Sequence, residues 1–122
     1  MEQYEEFSRN GKNFMYIDFS NCRTEDAFIQ FIGMFAPIIE KYPEKSLYTI
    51  TNIENIKFDS TSKNLVSKYL EHNRKYVKYG VIIGFDGIKK LMIGALFKAS
   101  GRDYLHFAFS KEQAIEWLLQ KD

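Results

Sequence analysis

The sequence contains few of the residues that disulfide-stabilised or metal-binding proteins need. In 122 residues it has one cysteine, Cys22, and two histidines, His72 and His106. A single cysteine cannot close an intrachain disulfide, which argues against a secreted, disulfide-stabilised scaffold. The histidines lie far from each other and from Cys22 in sequence, and their spacing resembles no metal site. We therefore expect no metal, no cofactor and no identifiable catalytic residue, with Cys22 as an inert, partly buried thiol.

Long hydrophobic runs and glycine-rich phosphate loops are also missing. No apolar segment approaches the roughly 20 residues that a membrane span requires, and the acidic start of the chain lacks the basic region of a signal peptide. No Gly-x-Gly-x-x-Gly or Walker sequence follows a strand pattern, so phosphate binding by such a loop is unsupported. We expect a cytoplasmic protein, and peripheral attachment to a membrane stays open.

Charge is nearly balanced overall but unevenly distributed. Seventeen Lys and Arg residues against sixteen Asp and Glu residues give a net charge of +1, which argues against a dedicated nucleic-acid-binding protein. Residues 57–102, however, contain ten basic and three acidic residues. Either these lysines lie on separate solvated faces, or they form a patch for an acidic partner or an anionic lipid head group.

Hydrophobic periodicity predicts an α/β fold in a single domain, residues 1–122. Two strand patterns flank Asn10-Gly11, which is a strong hairpin signal. The later strands alternate with helical patterns, so a mixed sheet of about five strands is expected, with an antiparallel pair at one edge, parallel strands after it and four helices. The strands are predicted at 3–7, 14–19, 46–52, 76–84 and 104–109, and the helices after the capping residues Thr24, Asp59 or Ser60, Asp86 and Ser110.

The third predicted helix is unusually apolar, since eight of the twelve residues from Ile88 to Ala99 are hydrophobic. At 100° per residue, most of them fall on the side of Ile88, which we expect to face the sheet. Ile93 and Phe97 then point away from the sheet, close to Lys89 and Lys90. Exposed Ile and Phe beside lysines suit an apolar ligand, a membrane surface or another protein. The alternative is that loops or the last helix cover Phe97.

One segment, from His72 to Leu91, together with Ser100-Gly-Arg102 and the closing Ala114-Ile-Glu-Trp-Leu118, resembles the bacterial SpoIIAA-like family, a branch of the STAS (sulphate transporter and anti-sigma-factor antagonist) fold. The resemblance extends from about Asn13 to Leu118. It implies a sheet of four or five strands with helices, no established enzymatic activity, and a structural relation to CRAL-TRIO lipid-transfer domains. It also implies apolar-ligand binding or membrane association through a mobile helix, a role that corresponds here to the helix from Ile88 to Ala99.

The same resemblance raises a regulatory alternative at Ser60. Better-characterised STAS regulators carry Asp-Ser-Ser/Thr-Gly at a helix N-terminus, and phosphorylation of the serine controls the binding of a kinase partner. Asp59-Ser-Thr-Ser62 occupies a comparable place, but the glycine is missing and a longer loop precedes it. A phosphate is favourable at a helix N-terminus. Asp59 and Ser60 as ordinary capping residues are the other interpretation.

These observations leave three hypotheses. The first is a non-enzymatic module that binds an apolar small molecule, a lipid or an anionic membrane surface through Lys89, Lys90, Ile93 and Phe97. The second is a regulatory domain that binds a protein partner, with Ser60 as a candidate phosphorylation site. The third, an enzyme with a dispersed acid/base site, has no candidate residues. A homodimer stays open.

Overall fold

The structure, a computed structural model, describes residues 4–22, 24–56, 60–99 and 105–121. Within these it describes the side chains of all but residues 60–63, 96–99 and 105. The predicted α/β class, with five strands and four helices, is confirmed. The elements in chain order are β1 (Tyr4–Arg9), β2 (Lys12–Asp18), α1 (Glu25–Ile39), β3 (Leu47–Asn52), α2 (Ser60–Asn73), β4 (Val77–Ile83), α3 (Gly87–Ala99), β5 (Leu105–Phe107) and α4 (Lys111–Leu119).

The strands lie in the sheet in the order in which they occur in the chain. β1 pairs antiparallel with β2, and each later strand pairs parallel with the one before it. The turn between β1 and β2 is Asn10-Gly11, and both residues have a positive φ, of 54° and 77°. This is the backbone that a tight hairpin needs and that Asn-Gly adopts at little cost. The hairpin and the antiparallel edge are therefore as predicted.

Two apolar clusters cover the two faces of the sheet. The connections between the parallel strands β2, β3, β4 and β5 are right-handed crossovers, and all three step in the same direction across the sheet. The helices in these connections, α1, α2 and α3, therefore lie on one face of the sheet. Alternate strand residues follow this division, because Leu47 of β3 packs with α1 and α2 whereas Tyr48 and Ile50 pack against α4. The chain's single tryptophan, Trp117, belongs to the α4 side.

The predicted capping residues hold three helix starts. The Thr24 hydroxyl accepts a hydrogen bond from the Ala27 N–H at 3.1 Å, Asp86 accepts one from the Lys89 N–H at 2.8 Å, and Ser110 accepts one from the Gln113 N–H at 3.1 Å. α1 continues through Pro37 to Ile39. No helix in the described ranges is long and apolar enough to cross a membrane.

Candidate functional site

The side chains of α3 that face the sheet are not the ones that the sequence predicted, and neither are those that face solvent. Ile93 was expected to point away from the sheet, but it is 2% exposed and belongs to the main core. Ile88 and Leu91, expected to be buried, are 72% and 77% exposed. The predicted orientation of Ile93 is therefore wrong, and so is that of the Ile88 side of α3.

A hydrogen bond accompanies this orientation of α3. The Lys89 ammonium donates to the backbone carbonyl of Ile53, just beyond the end of β3, at 3.3 Å. Residues four apart share a helix face, so a helix held at Lys89 turns Ile93 toward the sheet as well. The prediction placed the side of α3 with more apolar residues against the sheet. In the structure, the side that carries Lys89 faces the sheet, and Ile93 is the large apolar residue buried there.

The outward side of α3 continues onto the aromatic residues that flank β5. Phe85 contacts Phe107 edge to face, with ring centroids 5.0 Å apart, and Phe109 at 5.8 Å. Phe109 is 83% exposed. We call this region the α3–β5 surface, and it consists of Phe85, Ile88, Lys90, Leu91, Phe107 and Phe109.

A groove lies in the α3–β5 surface. It has a volume of about 550 Å³ and is bordered by Lys90, Leu91, Phe107 and the small residues Gly87, Gly94 and Ala95. Because small residues line one wall, the backbone of α3 is accessible to another chain. Exposed apolar side chains that border such a groove are typical of sites that bind a partner.

The lysines of α3 differ in their surroundings. Lys90 is exposed, and its ammonium lies 5.7 Å from the Phe85 ring centroid and 5.6 Å from that of Phe107, as in cation–π contacts. α3 contains three lysines and no acidic residue. Two of these lysines lie in the first turns of the helix, where the helix dipole disfavours positive charge. The charge on this surface therefore suits an acidic binding partner.

The inward side of α3 closes a small cavity between the helices and the sheet. Its volume is about 40 Å³, and Ile93, Ile53, Val66 and Tyr69 are among the residues that line it. A water molecule occupies about 30 Å³ in the liquid, and an engineered cavity of about 150 Å³ is known to bind benzene. The cavity as it stands is therefore too small for a lipid chain.

Other predicted residues lie outside the described part or serve structural roles. Phe97 is on α3, but its side chain lies outside the described residues, so its role as a contact stays a prediction. α2 begins at Ser60; the Ser60 side chain and the whole of Asp59 also lie outside that part, and phosphorylation there stays a prediction. Cys22 is buried, and this burial, followed by the charge of Asp18, raises the pKa of its thiol, as expected for an unreactive cysteine.

The two histidines have separate environments. The His106 ring stacks on Trp117 at 4.2 Å, and burial together with the charges of Lys121 and Lys90 lowers its pKa. His72 contacts Glu40 at the end of α1. Across the residues that the structure describes, no three His, Cys, Asp or Glu side chains gather into a metal-binding group.

Comparison with known proteins supports the fold. No family model matches the sequence, and no curated protein matches it. Among solved structures, the chain is similar to an anti-sigma-factor antagonist (STAS) domain protein from Planctomyces limnophilus, with a TM-score of 0.55 and 8% sequence identity. The match covers 94% of this chain and 97% of that chain. The protein therefore has a STAS-like fold, in agreement with the resemblance noted in its sequence.

Proposed function

We propose that residues 1–122 form a non-enzymatic regulatory domain that binds an acidic, amphipathic segment of a protein partner on the α3–β5 surface. The observation that carries this proposal is the exposure of Ile88 and Leu91 beside the 550 Å³ groove. The STAS-like neighbour, which is named as an antagonist of an anti-sigma factor, supports a role in binding another protein.

The charge of α3 favours an acidic partner. Lys90 lies at the groove and contacts aromatic rings, and none of the ion pairs found between described residues includes it. A partner helix with apolar residues at intervals of three or four could place them in the groove and its acidic residues against Lys90. The predicted contact Phe97 belongs to the same helix and stays in the proposal, whereas the buried Ile93 does not.

Binding of a lipid or a membrane, the first hypothesis from the sequence, has weaker support. The cavity beneath α3 has about 40 Å³, which is far less than an acyl chain needs. A flat membrane contact through Leu91 and Lys90 is the remaining form of that hypothesis. It differs from partner binding in requiring no groove, so the two can be separated by experiment.

A photo-crosslinking residue at position 91, used in extracts of the source organism, would identify the partner. The isolated partner segment is then titrated against wild type and three variants. We expect Leu91→Glu to weaken binding at least tenfold, because it places a like charge and removes an apolar contact. Lys90→Glu should slow association and remove most of its salt dependence. Ile29→Glu is the matched control, since Ile29 is an exposed apolar residue on α1.

Three results would contradict the proposal. If Ile29→Glu weakened binding of the partner segment as much as Leu91→Glu does, binding would not be specific to the α3–β5 surface. Sedimentation equilibrium that shows a wild-type dimer, dissociated by Leu91→Glu, would assign the surface to a second copy of the chain. Leu91-dependent binding to phosphatidylglycerol/phosphatidylcholine vesicles, with no partner segment that binds, would assign it to a membrane.

A further inference from the structure

The first strand, β1, forms a free edge of the sheet. Among the described residues it pairs with β2 alone, in unbroken register from Tyr4 to Arg9. It contains no proline and no lysine, which are residues that commonly block an edge strand. β1 has six residues, whereas β5 at the opposite edge has three. β1 is therefore the edge that offers the longer row of backbone N–H and C=O groups to an added strand.

The side chains of β1 alternate between the two faces of the sheet, and three of them lie on the α4 side. The Phe7 ring stacks on Phe14, with centroids 5.1 Å apart, and Phe14 belongs to the cluster on that side. The exposed Glu5 carboxylate pairs with the Lys111 ammonium of α4 at 2.9 Å. The guanidinium of Arg9, also exposed, lies 5.8 Å from the Phe7 ring centroid. One face of β1 thus carries an acidic, an aromatic and a basic side chain at alternate positions.

This order of side chains is complementary to itself in an antiparallel pair. Opposed residues of two paired copies lie on the same face, so the two-fold axis passes beside one residue, which then faces its own copy. Registers centred on Glu5 or Glu6 oppose like charges, which is destabilising. A register centred on Ser8 pairs only the second half of the strand. The register centred on Phe7 opposes no like charges and places Glu5 opposite Arg9.

We propose that β1 pairs antiparallel with β1 of a second copy of this chain, with Phe7 of each copy facing the other across the two-fold axis. The two five-stranded sheets then form one continuous sheet. Glu5 of each copy faces Arg9 of the other, and the two Phe7 rings extend the apolar cluster around Phe14 across the axis. The α3–β5 surface lies at the far edge of each sheet, so the pairing does not depend on the function proposed above.

Cysteine substitution along β1 tests the register, because each register brings a different position opposite its own copy. Directly opposed residues have Cα atoms about 4.5–5.5 Å apart, a separation that a disulfide can bridge. We expect Phe7→Cys to form a disulfide dimer on mild oxidation. Glu6→Cys and Ser8→Cys should form one only when the two variants are mixed. Wild type, whose single Cys22 is buried, is the control and should form none.

Charge reversal tests the pairs on either side of the axis. Sedimentation equilibrium of wild type from about 10 μM to about 1 mM should show a dimer that dissociates on dilution, because pairing through one strand is a small contact. Arg9→Glu places a carboxylate opposite Glu5 in both symmetric pairs and should weaken the dimer about tenfold. Glu5→Arg combined with Arg9→Glu should restore most of that loss. Arg74→Glu, the same reversal at an exposed arginine after α2, is the matched control.

Four results would overturn the pairing of β1. They are a wild-type chain that sediments as a monomer throughout this range, equal weakening by Arg9→Glu and Arg74→Glu, a disulfide dimer of Glu6→Cys alone, and a dimer that Leu91→Glu dissociates but Arg9→Glu does not. The last of these would place self-association on the α3–β5 surface. A dimer that Leu91→Glu leaves intact and Arg9→Glu weakens supports the pairing, whether or not a partner segment binds at Leu91.

Discussion

Leu91 and Ile93 lie two residues apart on α3 and have opposite environments, with exposed fractions of 77% and 2%. Ile93 packs into the core beside the cavity, and Leu91 borders the groove on the outer side. One helix thus separates the core from the outer groove, and the two side chains can be changed independently.

Truncation of these two residues should affect stability very differently. Ile93→Ala removes a buried side chain and should lower the free energy of unfolding by about 2 kcal/mol or more. Leu91→Ala should change it by less than about 0.5 kcal/mol, because the side chain is already in contact with water. Urea denaturation of both variants measures the difference. Similar losses for the two variants would mean that α3 has a different rotation in solution.

Two glycines near α3 should respond oppositely to alanine. Gly84 has a φ of 76°, and a Cβ there would overlap the Asn52 side chain and lie 2.8 Å from the Glu54 nitrogen. Gly84→Ala should therefore cost at least about 2 kcal/mol. Gly94 is inside a helix, and a Cβ there meets no atom within 4 Å. Gly94→Ala should stabilise the protein by up to about 1 kcal/mol in a thermal or urea titration, and a loss of stability there would contradict the open groove.

Tyr69→Phe should not destabilise the protein. The hydroxyl has no partner at ordinary hydrogen-bond distance, and the weaker interaction with the Asn73 side chain offsets only part of the effect of burial on its pKa, so removal of the hydroxyl should cost little. We expect the free energy of unfolding to stay the same or to rise by about 1 kcal/mol, as measured by urea denaturation. Val66→Ala, which truncates another residue of the cavity wall, is the control and should destabilise. A clear loss of stability in Tyr69→Phe would show that the hydroxyl has a partner.

A pH-dependent contact joins the ends of α1 and α2. The His72 Nε2 lies 3.0 Å from the Glu40 carboxylate, and its Nδ1 lies 2.9 Å from Oδ1 of the Asn73 side-chain amide. Both neighbours are acceptors, so both ring nitrogens must donate and the imidazolium fits best. Burial acts to lower the pKa of His72, but the hydrogen bonds to Glu40 and Asn73 outweigh it and the pKa is raised.

The sign of the pH effect follows from this raised pKa. The contact stabilises the protein fully below the ordinary histidine pKa of about 6.5 and loses its effect as the pH rises through the higher pKa of the folded state. Glu40→Gln should therefore destabilise the protein at pH 5.5, by less than about 1 kcal/mol because both groups are partly exposed, and have less effect at pH 8.5. Denaturation at both pH values, with His72→Gln as background control, measures this. A Glu40→Gln effect that grows with pH would contradict the assignment.

The fold followed from local signals that agree with the tertiary structure. Asn10-Gly11 fits the hairpin, Thr24 and Ser110 fit helix starts, and the apolar run in β4 fits a strand covered on both faces. Each of these signals depends on residues close in sequence, so no knowledge of distant contacts was needed.

The candidate site could not be predicted in the same way, because it depends on distant contacts. The orientation of α3 depends on the burial of Ile93 in the core and on a hydrogen bond between Lys89 and Ile53, 36 residues apart. Phe85, Phe107 and Phe109 come together only when β5 pairs beside β4. The cavity depends on the packing of helices against β3, which periodicity does not describe. The sequence indicated that α3 has more apolar residues than one buried face requires, but not which of them are exposed.

The position of Trp117 limits what intrinsic fluorescence can report. Its indole stacks on the His106 ring, with centroids 4.2 Å apart, and the Lys121 ammonium lies 4.5 Å from its ring centroid, on the α4 side of the sheet. The emission of Trp117 would therefore respond to titration of the stacked imidazole and to global unfolding. Binding at the groove would reach the indole only indirectly, because the Lys90 ammonium is one of the charges that lower the pKa of His106, so a spectroscopic label attached near α3 is the more direct reporter.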